Sequence, residues 1–185
     1  IRRALVAGYR AIGVTDHVGV GNLEYVVKTL VKDCAEATKR WEILAIPGVE
    51  ITHVPKEDID MVACTAKELG AKLVAVHGET IVEPVEPGTN NAAVRSPSVD
   101  ILAHPGLISY DDAKLAAENG VYLEVSARKG HSLTNGHVVK TARDAGAYTV
   151  LDSDAHEPED LLTVELTHKI AKGAGLNDED AHVLL

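Results

Sequence analysis

Six short apolar runs, each separated from the next by a helix-like segment, constrain this chain more than any other feature. The runs are Ala11 to Val14, Ile43 to Ile46, Leu73 to Val76, Ile101 to Ala103, Val121 to Leu123 and Thr149 to Leu151. Near-continuous Val and Ile runs of this length suit strands buried on both faces, as in parallel sheets. Between them, Leu23 to Arg40 carries apolar residues at helical spacing. Asp58 to Leu69, Asp111 to Glu118, Thr134 to Ala145, Glu159 to Lys172 and Asp178 to Leu185 are the other predicted helices. Gly70, Gly146 and Gly173 stand where helix C-caps are expected. Strands alternating with helices over the whole chain predict one α/β domain, residues 1 to 185, around a parallel sheet. The longest irregular stretch, Val82 to Pro97, is expected to form a loop over one face. Periodicity alone leaves an open sheet and a closed barrel both possible. The glycines after the first run have the wrong spacing for a dinucleotide fingerprint.

The residues just past each run are more telling. Asp16 and His17 come after the first, Glu50 after the second, and His77 and Glu79 after the third. His104 comes after the fourth, Glu124 after the fifth, and Asp152, Asp154 and His156 after the sixth. In a parallel sheet these strand ends all lie on one side, where ligand sites form. Of nine histidines, chance would place about one in these windows; His17, His77, His104 and His156 are there. Histidines and carboxylates gathered at one rim repel or stay unsatisfied without cations. A nitrogen and carboxylate set without thiolate suits Zn, Mn or Fe(II), and Mg with extra waters. Two or three divalent ions would bring the pKa of a bound water near neutral and clamp a phosphoryl group. Glu50 is able to bridge two of them, and Asp154 and His156, two apart, point the same way on an extended segment.

The balance of charge narrows the partners. A net charge of -10 argues against a general nucleic-acid surface and leaves a small phosphorylated substrate as the better fit. Cys34 and Cys64 are far apart in helical segments and are expected to be reduced thiols. No apolar run approaches the roughly 18 residues of a membrane span and no signal peptide is visible, so a cytoplasmic protein is expected. Oligomeric state is not legible.

Five segments carry a resemblance. Gly13-Val-Thr-Asp-His17, Pro47-Gly-Val-Glu50, Val76-His77-Gly78, Ala103-His104-Pro-Gly106 and Ser153-Asp154-Ala-His156 together resemble the PHP (polymerase and histidinol phosphatase) family, in order and over essentially the whole chain. The chain looks most like its small stand-alone phosphatase-like members. The resemblance implies a distorted (β/α)7 TIM-like barrel with a trinuclear metal site. It implies that Glu50 bridges the first and second metals, that His77 and His104 complete the second, that Asp154 binds the first, and that His17 and His156 bind the third. Attack of a metal-bound hydroxide on phosphorus is implied by that likeness, with Glu50 and Asp154 as the catalytic pair. The family opens with a strand carrying His-x-His. This sequence has none, and Ile1 to Gly8 already reads as a helix, so a missing first strand is expected.

Secondary candidates lie beside these. Arg128, Lys129 and His131 come after the fifth run and are candidate phosphate contacts, the guanidinium fork of Arg128 above all. His53 either lines the pocket or caps a loop. Asp16, Glu79 and Asp152 are read as groups orienting the metal-binding histidines. His137, His168 and His182 fall on helices and are expected to face solvent. The leading function is a phosphomonoesterase. Its rivals are a phosphodiesterase or 3′-5′ exonuclease, which requires a basic track not seen here, and a non-catalytic metal-binding domain.

Overall fold

Seven strands and seven α-helices alternate along residues 1–176, the part of the chain that this computed structural model describes. The strands are β1 (Ala11–Val14), β2 (His17–Val18), β3 (Leu44–Ile51), β4 (Leu73–His77), β5 (Ile101–Ala103), β6 (Tyr122–Ser126) and β7 (Thr149–Asp152). The helices are α1 (Arg2–Val6), α2 (Leu23–Arg40), α3 (Ile59–Leu69), α4 (Thr89–Arg95), α5 (Tyr110–Asn119), α6 (Asn135–Ala145) and α7 (Val164–Gly173). The helix expected over Asp178 to Leu185, with His182, lies outside the described residues.

Every strand pairing is parallel, in the order β1-β3-β4-β5-β6-β7, with β2 also on β3. β1 and β2 form one line: Val14 pairs with Pro47 and His17 with Glu50, the same offset on either side of Thr15 and Asp16. Strand order tracks chain order without the reversal that defines a doubly wound sheet. Successive helices accordingly pack side by side, α2 on α3, α3 on α4, α4 on α5 and α5 on α6. The result is a curled, all-parallel half-barrel. The expected closed barrel is not what the described residues form, because β1 and β7 are both sheet edges and do not pair with one another. Apolar periodicity specifies strands and helices but not closure, which depends on pairing across the last gap.

The two sheet faces differ in chemistry. Val49 and Ile51 of β3, Val74 and Val76 of β4, Leu102 of β5 and Leu123 of β6 are buried in the main core beneath the helices. Each fully buried side chain of this kind contributes about 1.5–3 kcal/mol. The helices answer with one apolar face each: Leu23, Val27, Cys34 and Ala37 of α2, and Ile59, Val62, Ala63 and Ala66 of α3. The alternate strand positions, Glu50, Ala75, His77, Ala103, Glu124 and Ser126, take the opposite face because side chains alternate along a strand. Three of those six are Ala or Ser, which leaves room there for Glu50, His77 and Glu124.

Local signals set the ends of the elements. α3, α5 and α6 stop at left-handed Gly70, Gly120 and Gly146. Ser109 caps α5 by accepting the Asp112 amide. The helix expected from Glu159 begins only at Val164. Glu157 and Asp160 cap one another around a short 3-10 turn with Pro158 at its start, and Thr163 then caps the helix. Cys34 is buried and Cys64 exposed, both as free thiols. No helix among the described residues is long and apolar enough to cross a membrane.

Candidate metal centre

The polar face of the sheet gathers its ionisable groups around Glu50. β3 runs on through Pro47 and Gly48, so Glu50 lies inside the strand rather than after it, nearly fully buried. Its Oε1 is 3.0 Å from His77 Nδ1 at the end of β4 and 3.6 Å from His104 Nε2 just past β5. Its Oε2 is 3.6 Å from Nε2 of half-exposed His17. His104 Nε2 and His77 Nδ1 stand 2.9 Å apart. His104 gives its ring Nδ1–H to Glu124 Oε2 at 3.0 Å and its backbone N–H to the same oxygen. With Nδ1 so used, neutral His104 presents Nε2 as a lone pair. A single His77 Nδ1–H cannot serve both Glu50 and His104 fully, so one acceptor is always left short.

A second set of groups lies beside the first. Asp154, just past β7, has Oδ2 3.9 Å from His104 Nδ1 and 3.9 Å from His131 Nε2. His131 is buried, stacked on His104 with ring centroids 4.1 Å apart, and its Nδ1 is 2.7 Å from Thr80 Oγ1. Arg128 donates from Nη1 to the Asp154 carbonyl at 3.2 Å and holds Nε 3.7 Å from its carboxylate. A third set reaches in from the loop before α4. Glu83 Oε2 is 3.1 Å from His77 Nε2, and the ring of exposed His53 lies 5.2 Å from that of His77. His77 Nε2 nevertheless makes no aligned hydrogen bond. We regard that buried nitrogen as unpaired, because nearness to a carboxylate without alignment satisfies little.

Burial and charge set the protonation states. Burial pushes the Glu50 carboxyl up, but hydrogen bonds from His17 and His77 outweigh it and hold Glu50 well below the usual carboxylate range. Burial lowers His104, and lowers His131 to about 4, so both are neutral at pH 7. Asp154 is raised by burial and by the neighbouring Glu50 charge. Behind the ligating groups, burial raises Glu124 to about 7, and burial with the facing Glu124 raises Asp152 well above its ordinary range. An ionised Glu50 beside neutral His104 and His131 is the state that takes up a cation.

The donors form three groups whose ligand atoms lie within 4.8 Å of one another: Glu50, His77 and His104; His104, His131 and Asp154; and His53, His77 and Glu83. Converging lone pairs and an orphaned buried nitrogen fit divalent cations, and nitrogen with oxygen donors suits Zn, Mn or Fe(II). His17 and His156 meet on the exposed side, ring centroids 5.6 Å apart, and His156 Nδ1 is 3.4 Å from Asp154 Oδ1. Among the described residues neither joins a three-donor group. Lys129 is exposed and is not among the cluster's contacts.

The backbone is shaped for this placement. His53, His104 and Asp154, with φ of 52°, 28° and 44°, are the non-glycine residues of positive φ among those described. Each such conformation costs about 1–3 kcal/mol and persists where the surroundings enforce it. The glycines after His77 and His104 have a steric reason. A Cβ on Gly78 would collide with the Ala103 carbonyl oxygen, and one on Gly106 (φ 62°) with the Glu79 carbonyl oxygen.

Some groups play parts that sequence reasoning assigned differently or missed. Glu79, expected to orient a histidine, instead accepts the Gly88 and Asn90 amides and anchors the start of α4. Asp16 accepts the His17 amide, and Asp152 the Asp154 amide, so they act on backbone rather than on rings. Glu124 lies within β6 and is the group that orients His104. His137, expected to be merely solvent-facing, places Nε2 2.8 Å from the Ile108 carbonyl. Glu83 carried no signal, being in an irregular loop rather than beside a strand.

The fold and this centre define an α/β half-barrel protein with a candidate metal site on its polar sheet face. No family model matches the chain. It is 44% identical over 181 residues to an uncharacterized protein of Methanocaldococcus jannaschii, covering 97% of this chain and 83% of that one. It is 30% identical over 199 aligned positions to a protein of Thermoanaerobacter sp. (strain X514) named a probable phosphatase, covering 96% and 79%. The chain belongs to the family of these proteins. Among solved structures, a chain in a cryo-EM structure of archaeal ribonuclease P with mature tRNA has the same fold, with TM-score 0.70, 18% identity and coverage of 99% and 85%.

Proposed function

We propose that this protein is a metal-dependent phosphatase of the PHP type that hydrolyses a small phosphate monoester. The observation that carries the reading is the convergence of Glu50 with two buried imidazole nitrogens, those of His77 and His104. Kinship with probable phosphatases supplies the reaction class. The net charge of -10 favours a small substrate over a polynucleotide.

In this reading Glu50, His77 and the Nε2 lone pair of His104 would hold one cation, and Asp154 with His131 would help to hold another. Divalent cations there supply Lewis acidity, which activates water near neutral pH and offsets charge on a phosphoryl group. The chain's own groups do the rest. Glu124 fixes the tautomer of His104 so that a lone pair faces the site. Arg128 steadies Asp154 and leaves donor capacity for phosphate oxygens. Exposed His17 and His156 flank the approach to the cluster.

The test is turnover of a panel of monoesters and diesters by protein stripped with chelator and reloaded with Mn or Zn. Monoesters are turned over only by the loaded protein, and Glu50→Ala reduces turnover to the stripped level with an unchanged circular-dichroism spectrum. Wild-type turnover in that variant, or a preference for diesters, refutes the reading.

A further inference from the structure

The metal centre has a neighbour that the proposed chemistry does not use. A cavity of about 220 Å³ lies against it, sharing His77 and His53 with the cluster. Its floor is apolar, formed by Ile51, Val54, Ile59 and Val76, and the loop before α4 borders it with Val85. Three of the floor residues, Ile51, Ile59 and Val76, are almost completely buried.

The polar groups of the wall are already paired. Thr89 Oγ1 donates to the Glu86 carbonyl at 2.7 Å. The Glu86 carboxylate accepts the Lys56 amide at 3.2 Å and pairs with Lys56 Nζ at 3.3 Å. Lys56 Nζ also donates to the Pro87 carbonyl at 3.2 Å, tying the two sides of the cavity together. At the end formed by His53 and His77, the buried His77 Nε2 makes no aligned hydrogen bond. That end is the one that faces the cluster.

We infer that this cavity receives the alcohol portion of the phosphate ester, and that it selects an alcohol bearing one compact, uncharged, apolar body of about ring size. The inference rests on the phosphatase reading above and names its substrate class. Volume sets the size: a protein cavity of about 150 Å³ holds benzene, so this one holds a six-membered ring with a short arm. The apolar floor sets the polarity. A hydroxyl laid on Ile51, Val54, Ile59 and Val76 meets no side-chain partner there, and an apolar surface discriminates against one added hydroxyl by about 10²-fold. A ring gains contact with the floor and gives up no hydrogen bond.

The experiment compares benzyl phosphate with glycerol 1-phosphate on the full chain loaded with Mn. A kcat/KM ratio of about 100 or more in favour of benzyl phosphate is expected. Val85→Phe, which fills the cavity from an exposed loop, lowers that ratio by about tenfold or more. A separate measurement needs no turnover: benzyl alcohol added to the metal-free protein shifts the methyl NMR signals of Val54, Val76 and Val85, and glycerol does not. A ratio near one, or a ratio that Val85→Phe leaves unchanged, overturns the inference. So do benzyl alcohol shifts that fall elsewhere. If neither ester is hydrolysed, the phosphatase reading fails on its own, and the benzyl alcohol titration still decides what the cavity binds.

Discussion

Glu124 never faces the proposed cations, yet its replacement should change how tightly they are held. One of its oxygens takes both the ring Nδ1–H and the backbone N–H of His104. Glu124→Ala leaves two buried donors unpaired, at about 1–3 kcal/mol each. Part of that loss is offset, because burial already makes the carboxylate costly, as its rise to about 7 reflects. Freed of Glu124, His104 is able to rotate or to carry its proton on Nε2, the atom nearest Glu50 Oε1. Losing such an orienting partner typically weakens metal binding by about 10- to 100-fold, or about 1.4–2.8 kcal/mol. Glu124→Gln keeps an acceptor of lower basicity and should lie near the tenfold end, with Ala near the hundredfold end. The assay is competition for Zn against a chelating indicator at fixed pH, with thermal unfolding run in parallel. Wild-type Zn affinity in a folded Glu124→Ala protein would refute the claim that His104 is held for a metal.

The same geometry carries further expectations. Chelation should lower the melting temperature, since free metal at 100 times its Kd stabilises the native state by about 2.7 kcal/mol, roughly 5–10 °C for a chain of this size; a midpoint insensitive to chelator contradicts the site. Gly106→Ala should cost about 2–4 kcal/mol, because a Cβ there meets the Glu79 carbonyl at positive φ, and urea unfolding reads the loss. Arg128→Ala should raise KM for monoesters by about tenfold or more through lost phosphate contact and a loosened Asp154, whereas Lys129→Ala changes it little; equal effects in steady-state kinetics count against the assignment.

Much of the fold was legible because its signals are local. β1, β5 and α2 fall on the residues that apolar spacing predicts. The second apolar run ends at Ile46, yet the strand continues through Pro47 and Gly48 to Ile51. Proline gives up only its N–H, and the Pro47 carbonyl still accepts the Lys72 amide. Pairing with β4 begins only at Gly48, while the line of β1 and β2 runs on along the other side of β3, so the missing donor falls where β4 starts. Gly48 itself brings the β4 backbone close, since a Cβ there would lie 2.8 Å from the Leu73 carbonyl oxygen. Strand-end reasoning singled out Glu50, His77, His104 and Asp154, which the structure brings together because the strands themselves place them. It missed Glu83, and left His53 undecided, because a loop returning over the sheet has no period to read.

The distribution of strain ties the backbone to the candidate site. The three non-glycine residues of positive φ among those described, His53, His104 and Asp154, belong to the three overlapping donor groups. Each strained turn is a place where the chain leaves or has just left a strand, and an ordinary turn would swing the side chain away from the polar face. Two of the three are held by a carboxylate on the backbone amide: Glu124 takes the amide of His104, and Asp152 that of Asp154. Those acids are themselves raised by burial, so the fold spends stability twice on each ligand, once in the turn and once in the acid that enforces it. A core that needed only to be stable would place apolar residues at positions 124 and 152. The costs make physical sense together if the groups they position have a charge to hold, which is why weakened metal binding on loss of Glu124 is the sharpest test of the centre.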